Sequence, residues 1–294
     1  MRILVTGREG QVAQALVALN GNSAEVVAVG RPDLDITQAQ SVRGIVAELK
    51  PDIVVNAAAY TAVDRAESDE ALAFLVNRDG ARNVATVAVE YGLPVIHIST
   101  DYVFDGLGME RYREDDPTGP QGVYGRSKLE GERAVAAANP AHAILRTAWV
   151  YGPFGQNFLK TMLRLAGDRD VVRVVGDQHG TPTYAPDIAE GILAVAHRLQ
   201  ARDPNAQGIF HMVADGETTW AGFAEEIFAR SAERGGPSAQ VEPISTREYP
   251  TPAKRPANSR LDTARFVRDI GHRLPDWRSG VVRCLDALER ASAR

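Results

Sequence analysis

The sequence predicts a Rossmann-like doubly wound parallel α/β sheet with a smaller C-terminal substrate-binding lobe. Three observations carry that prediction. Short β-branched runs alternate with longer helical patterns through the first half, as βαβ units require. A Gly-rich turn, Thr6-Gly7-Arg8-Glu9-Gly10-Gln11-Val12-Ala13, sits between the first run and the first helical pattern. The later runs end in small or polar residues, at the strand ends where open sheets bind ligands.

In order, strands are expected at Arg2–Thr6, Glu25–Val29, Ile53–Asn56, Val95–Ser99 and Ala143–Thr147, each a compact β-branched run. Helices are expected between them, at Gln11–Leu19, Ala39–Leu49, Asp69–Tyr91 and Tyr124–Ala138. After Gly152-Pro153-Phe154-Gly155 the regularity fades. A strand near Val171–Val175 and a helix near Asp187–Leu199 are expected to return to the sheet layer. Residues 1–155 thus form the dinucleotide-binding domain and 156–294 mainly the second lobe, with about 171–200 rejoining the first layer. Arg234-Gly235-Gly236-Pro237 and Tyr249-Pro250-Thr251-Pro252 are loops.

The 294 residues are enough for a real core, and a net charge of -5 argues against nucleic acid as the main partner. Cys284 is the single cysteine, so no intrachain disulfide and no cysteine-based metal cluster can form. The apolar start is broken by Gly7 too early for a signal-peptide core, and no later run approaches the ~20 apolar residues of a spanning helix. A cytoplasmic protein without membrane contact is expected. The histidines show no ligand spacing, and no residue is assigned to a metal.

In the Gly-rich turn, Gly7 and Gly10 let backbone approach a pyrophosphate, whose charge the start of the helix at Gln11 and Val12 favours. Arg8 lies within the same turn. At the end of the second strand Gly30-Arg31 appears with no carboxylate before Asp33, which favours NADPH. Arg31 also reads as a solvated loop residue, so NADH stays open. Asp35 and Ile36 fall where the adenine end would lie, and Asn56-Ala57-Ala58-Ala59 offers the cofactor bare backbone.

Tyr124-Gly125-Arg126-Ser127-Lys128 places a phenol and an ammonium one helical turn apart on one face. A free tyrosine ionises near pH ~10. A fixed positive charge nearby would bring it toward a working range for proton transfer. An ordinary amphipathic helix with one buried and one solvated residue is the other reading of the same pair.

With the Gly-rich turn, Asn-Ala-Ala-Ala at 56–59, Ser-Thr-Asp-Tyr-Val-Phe-Asp-Gly at 99–106 and Tyr-x-x-x-Lys in this order, the chain resembles the extended short-chain dehydrogenase/reductases. Within them it looks like the dTDP-4-dehydrorhamnose reductase family. That narrower resemblance rests on residues 56–64, on Arg146-Thr147-Ala148-Trp149-Val150-Tyr151-Gly152, and on the Thr251–Leu261 block. It implies NAD(P)H-dependent reduction of the 4-keto group of dTDP-4-dehydro-6-deoxy-L-mannose to dTDP-L-rhamnose, for cell-surface polysaccharide. It further implies that Tyr124 gives the proton, that Lys128 lowers the tyrosine pKa and holds the nicotinamide ribose, and that Thr100 hydrogen-bonds the keto oxygen.

By the same resemblance Tyr60 and Thr61 lie near the cofactor. Thr61, Val63, Asp101 and Trp149 line the sugar pocket, and Arg255 and Asn258 belong to the substrate loop, with Lys254 and Arg260 beside them as candidate diphosphate ligands. A solvated basic loop is the alternative for each cation. Related 4,6-dehydratases carry Asp-Glu after the threonine; Asp101-Tyr102 lacks that base, so elimination is disfavoured. Some family members use magnesium at a dimer contact. No motif here places that ion, and a homodimer is compatible with the resemblance. Two other functions fit the same residues: a non-catalytic NADP-binding regulatory or scaffold subunit, and a reductase of a different 4-keto sugar nucleotide.

Overall fold

The computed structural model describes residues 1–21 and 24–292. The chain begins with β1 (Arg2–Thr6), α1 (Gln11–Ala18), β2 (Glu25–Val29), α2 (Ala39–Leu49) and β3 (Ile53–Asn56). Helices α3 (Val63–Ala66) and α4 (Glu70–Phe74) lead through a π turn at Leu75–Gly80 into α5 (Ala81–Glu90). Then come β4 (Val95–Thr100), α6 (Val123–Ala138) and β5 (His142–Thr147). The second half contains β6 (Val150–Tyr151), α7 (Phe158–Ala166), β7 (Val171–Val175), β8 (His179–Gly180), β9 (Thr183–Tyr184) and α8 (Ala185–Gln200). It ends with β10 (Gly208–His211), β11 (Thr218–Thr219), α9 (Trp220–Ala232), β12 (Gln240–Ile244), α10 (Ala264–Ile270) and α11 (Trp277–Ser292).

Six strands in the order β10-β5-β4-β3-β1-β2 pair in parallel throughout. The period of two along each strand divides the core. Ile3, Val5, Ile53 and Val55 point to one face, against Leu16 of α1 and Ile188 and Ile192 of α8. Leu4, Val54 and Ile144 point to the other, against Val46 of α2, Val84 of α5 and Val135 of α6. Strands sandwiched in this way carry apolar side chains on both faces, which is why they read as continuous runs. The strand order reverses between β1 and β3, and the crevice beyond their carboxyl ends is where such sheets take ligands.

One strand lies elsewhere than its sequence suggests. β7 does not join the main sheet but pairs in parallel with β12. Its residues alternate between exposed and buried, with Arg173 at the solvent side, so it suits a strand covered on one face. The main sheet is instead completed by β10, whose Phe210 and His211 are fully buried. Helix α8 does pack against α1 on the sheet layer. A separate core of Tyr151, Phe223, Ile227, Trp277 and Val281 holds the second lobe together.

Candidate active site

The ends of β1 and β3 open into a cleft of about 720 Å³. Gly7 has φ +84°, and a Cβ at this position would lie 2.8 Å from Ala58 Cα, so glycine alone lets the turn close onto the Ala57–Ala59 backbone. The Gly7 N–H donates to the Val29 carbonyl at 2.9 Å and Gly10 N–H to the Gly7 carbonyl at 2.8 Å. Thr6 locks the facing strand: its Oγ1 accepts from Ala58 N at 3.1 Å and donates to Asn56 Oδ1 at 2.7 Å. The free N–H groups at the start of α1 and the bare backbone of 57–59 fit a dinucleotide pyrophosphate.

Gly7, Arg8, Gly10, Arg31, Asp35, Ile36, Ala57, Ala58, Ala59, Tyr60 and Thr61 all line this cleft. Leu34, Leu72, Leu75 and Val76 add an apolar wall suited to adenine, which the sequence reading missed. Arg8 is held by Glu9 at 3.1 Å and Asp33 at 3.0 Å, whereas Arg31 forms no ion pair among the described residues. Asp35 accepts from Thr37 N and Oγ1, so its carboxylate caps a local turn. The side chains of Gln11 and Val12 do not line the cleft: Gln11 donates to the Val150 carbonyl and accepts from Asn157, and Val12 packs on the core, so what these first two residues of α1 offer a cofactor is their backbone N–H groups.

Outside the lining of that cleft, α6 carries Tyr124 and Lys128 one turn apart and β4 ends in Thr100. Lys128 is buried, and its Nζ donates to the Ile98 carbonyl at 2.6 Å and lies 3.5 Å from His97 Nε2. Burial pushes its ammonium down to about 8, with the Glu132 carboxylate opposing. Thr100 Oγ1 donates to Asp101 Oδ1 at 2.9 Å, accepts from Tyr102 N at 3.2 Å, and lies near enough to the Tyr124 phenol to favour its ionised form.

Lys128 is not among the groups that shift the Tyr124 phenol here. Burial, and after it the Asp101 charge, raise the phenol above its ordinary value, with Thr100 opposing. The lysine is anchored on a β4 carbonyl instead. The phenol is therefore kept protonated, the form that can give a proton away.

Asp101 is 4% exposed, and burial pushes its carboxyl up to about 6, opposed by Ser259 and Thr100; its Oδ2 makes no hydrogen bond of ordinary geometry. A carboxyl whose folded value lies above its unfolded one stabilises the fold at low pH, and that contribution is lost as pH rises through about 6. Asp101→Asn is accordingly expected to unfold at higher temperature than the parent at pH 7.5, with the gap closing below about pH 4. Thermal melts across that range check it, and a gap independent of pH would contradict it.

Asn77, in the π turn, is a site residue the sequence did not reveal. Its Oδ1 accepts from Tyr60 N at 2.8 Å, while Nδ2 donates to the Tyr60 carbonyl at 3.1 Å and to Ser127 Oγ at 2.9 Å. The Tyr60 side of the cleft is thereby fixed to α6.

On the sugar side, Trp149 has φ +49° and stacks on Trp220 at 3.7 Å between centroids, so an unforeseen aromatic from α9 backs it. Thr147 pairs in register with Thr100, which puts Trp149 just beyond the same strand end. Val63 opens α3, next to Asp64, whose carboxylate accepts from Arg255 at 2.7 Å. Asn258 departs from its expected role. It donates to the carbonyls of Gly108 and Glu110 and accepts from Arg260 N and Nε, so its amide is spent on clamping loops. Arg260 is in turn engaged by Glu217 and Asn258. Among the described residues no group of three His, Cys, Asp or Glu side chains is placed to hold a metal, and no helix is long and apolar enough to cross a membrane.

Residues 1–290 match the model of the RmlD substrate binding domain family. A dTDP-4-dehydrorhamnose reductase of Sinorhizobium fredii is 50% identical over 289 residues, 98% of each chain. The crystal structure of a dTDP-4-dehydrorhamnose reductase from Clostridium acetobutylicum superposes with a TM-score of 0.91 at 40% identity, covering 98% of this chain and all of that one. Another from Bacillus anthracis, in complex with NADP, gives 0.90 at 36% identity, covering 97% and 98%.

Proposed function

Since this chain belongs to the RmlD substrate-binding family of dTDP-4-dehydrorhamnose reductases, we propose that Tyr124, Thr100 and Lys128 form its reducing centre. The protein is an NADP-dependent oxidoreductase that reduces the 4-keto group of a dTDP-4-dehydro sugar in rhamnose biosynthesis. The observation that carries the assignment of roles is the half-buried Tyr124 of α6 beside the buried Thr100–Asp101 pair at the end of β4, next to a cleft built for a dinucleotide.

When bound, the nicotinamide supplies a hydride to the sugar carbon. Gly7, Gly10 and the Ala57–Ala59 backbone would hold the pyrophosphate, and Leu34, Leu72 and Leu75, on the same cleft, would receive the adenine. Lys128, held between Ile98 and His97, fixes a positive charge beneath the reacting atoms. Tyr124 donates to the keto oxygen as its negative charge grows and its proton ends there, while Thr100, its hydroxyl turned from Asp101 toward the substrate, donates a hydrogen bond to the same oxygen. Trp149, backed by Trp220, offers a flat face to the deoxyhexose, with Thr61, Val63 and Asp101 beside it. Arg255, oriented by Asp64, is the cation assigned to the diphosphate. The second lobe, mainly 156–294, completes the sugar site, and the enzyme acts in the cytoplasm.

A panel of 4-keto sugar nucleotides assayed with NADPH and with NADH, followed by NMR of the product, tests this reading. Oxidation of NADPH with the dTDP-4-dehydro-6-deoxy-L-mannose substrate is expected; cofactor binding without turnover would point to a scaffold subunit. Within the panel, Arg31→Ala is expected to weaken NADPH about tenfold relative to NADH, since its unpaired guanidinium is free for the 2′-phosphate. An unchanged preference ratio would leave Arg31 without that role.

A further inference from the structure

Eight residues after Tyr124 and four after Lys128, on the same stripe of α6, stands Glu132, only 2% exposed. Arg146 of β5, equally buried, donates to it through Nε at 2.9 Å and Nη2 at 2.7 Å, and Ser99 of β4 donates to the same Oε1. Ser99 pairs in register with Arg146, one step before Thr100 pairs with Thr147. The two elements that carry the reacting groups, α6 and β4, are therefore joined with β5 through one carboxylate.

We propose that Glu132, gripped by Arg146 and Ser99, is a positioning residue that sets the register of α6 against β4 and faces Lys128 with a compensating carboxylate. This rests on the reductase reading given above. A buried ion pair contributes little to stability compared with apolar residues of the same volume, so stability alone does not account for it. Its arginine is also poorly served otherwise: Nη1 has no hydrogen-bond partner among the described residues, and the guanidinium lies over the Phe104 ring at 5.0 Å. Glu132 is moreover the one group opposing the burial that pushes Lys128 down to about 8.

Other titratable groups near α6 are differently engaged. His97 faces Lys128 from β4 and burial holds it neutral, while Asp101 acts on Tyr124. On the outer side Asp64 pairs with Arg255, Arg65 with Asp69, Glu70 with Arg126, and Asp79 with Arg78 and Arg82. Tyr124 precedes Lys128 on the helix itself.

An ammonium that must stay charged loses activity as pH rises through its pKa, and removing a nearby carboxylate brings that loss to lower pH. Glu132→Gln alone would leave Arg146 without a counter-ion, so the double variant Glu132→Leu/Arg146→Met is compared with the parent, alongside Glu132→Asp. The double variant is expected to bind NADPH, to melt close to the parent, and to show the basic limb of kcat about one pH unit lower. Glu132→Asp keeps the charge but shortens the arm, and is expected to retain the parent limb with kcat reduced about tenfold. A double variant with the parent pH profile, or an Asp variant with full kcat, overturns the proposal. Absence of turnover in the parent enzyme would count against the reductase reading instead.

Discussion

Tyr124→Phe is expected to lower kcat for NADPH-dependent reduction about a thousandfold while leaving NADPH affinity nearly unchanged. The substitution removes one oxygen and little volume. What it deletes is the one acidic proton of the phenol beside Thr100, whose own hydroxyl proton is already given to Asp101 Oδ1. Burial and the Asp101 charge hold the phenol in its protonated form, which serves a reductase because its acid must still carry the proton when the ketone arrives. The same Asp101 charge drives the proton off less readily, so Thr100 and the growing alkoxide must supply the pull. Steady-state kinetics together with cofactor fluorescence separate the two quantities. A parallel loss of turnover and of cofactor binding, or of folding, would show the ring to be structural.

Lys128→Met is expected to damage both quantities, with kcat falling at least about a hundredfold and the Kd for NADPH rising. Methionine fills nearly the same buried space but cannot donate to Ile98, which now accepts from Nζ at 2.6 Å. The variant is expected to be no less stable than the parent. A buried ammonium pushed down to about 8 resists folding at neutral pH, and its removal relieves that strain on the charged form. Loss of activity with a retained or higher Tm therefore marks a functional lysine. A lower Tm with unaltered kcat per folded molecule would mark a structural one.

The sheet was legible because strands covered on both faces must be β-branched throughout, and Arg2–Thr6, Glu25–Val29 and Ile53–Asn56 stand as read. β10 was missed because Gly208-Ile209-Phe210-His211 is four residues long and opens on a glycine at φ +103°. β7 went astray because its β-branched composition hides an alternation that Arg173 discloses. In the site, the Tyr124/Lys128 spacing and the Gly-rich turn are local patterns, so they were visible. Asn77 clamping Tyr60, Trp220 under Trp149 and Asp64 orienting Arg255 depend on partners 17, 71 and 191 positions away, which no local period encodes. Asn258 misled for a related reason: its donors look available until Gly108, Glu110 and Arg260 are brought against it. The anchoring of Lys128 on Ile98 likewise required the sheet to be in place.

Transfer of deuterium from NADPH labelled at the nicotinamide C4 to the sugar, followed by NMR in the parent and in Tyr124→Phe, tests the reducing centre most directly. One NADPH consumed per dTDP-L-rhamnose, deuterium at sugar C4, and near-abolition in the Tyr124→Phe protein that still binds cofactor are expected. Undiminished deuterium transfer by Tyr124→Phe, or cofactor bound by the parent protein with no label in the sugar, would contradict it.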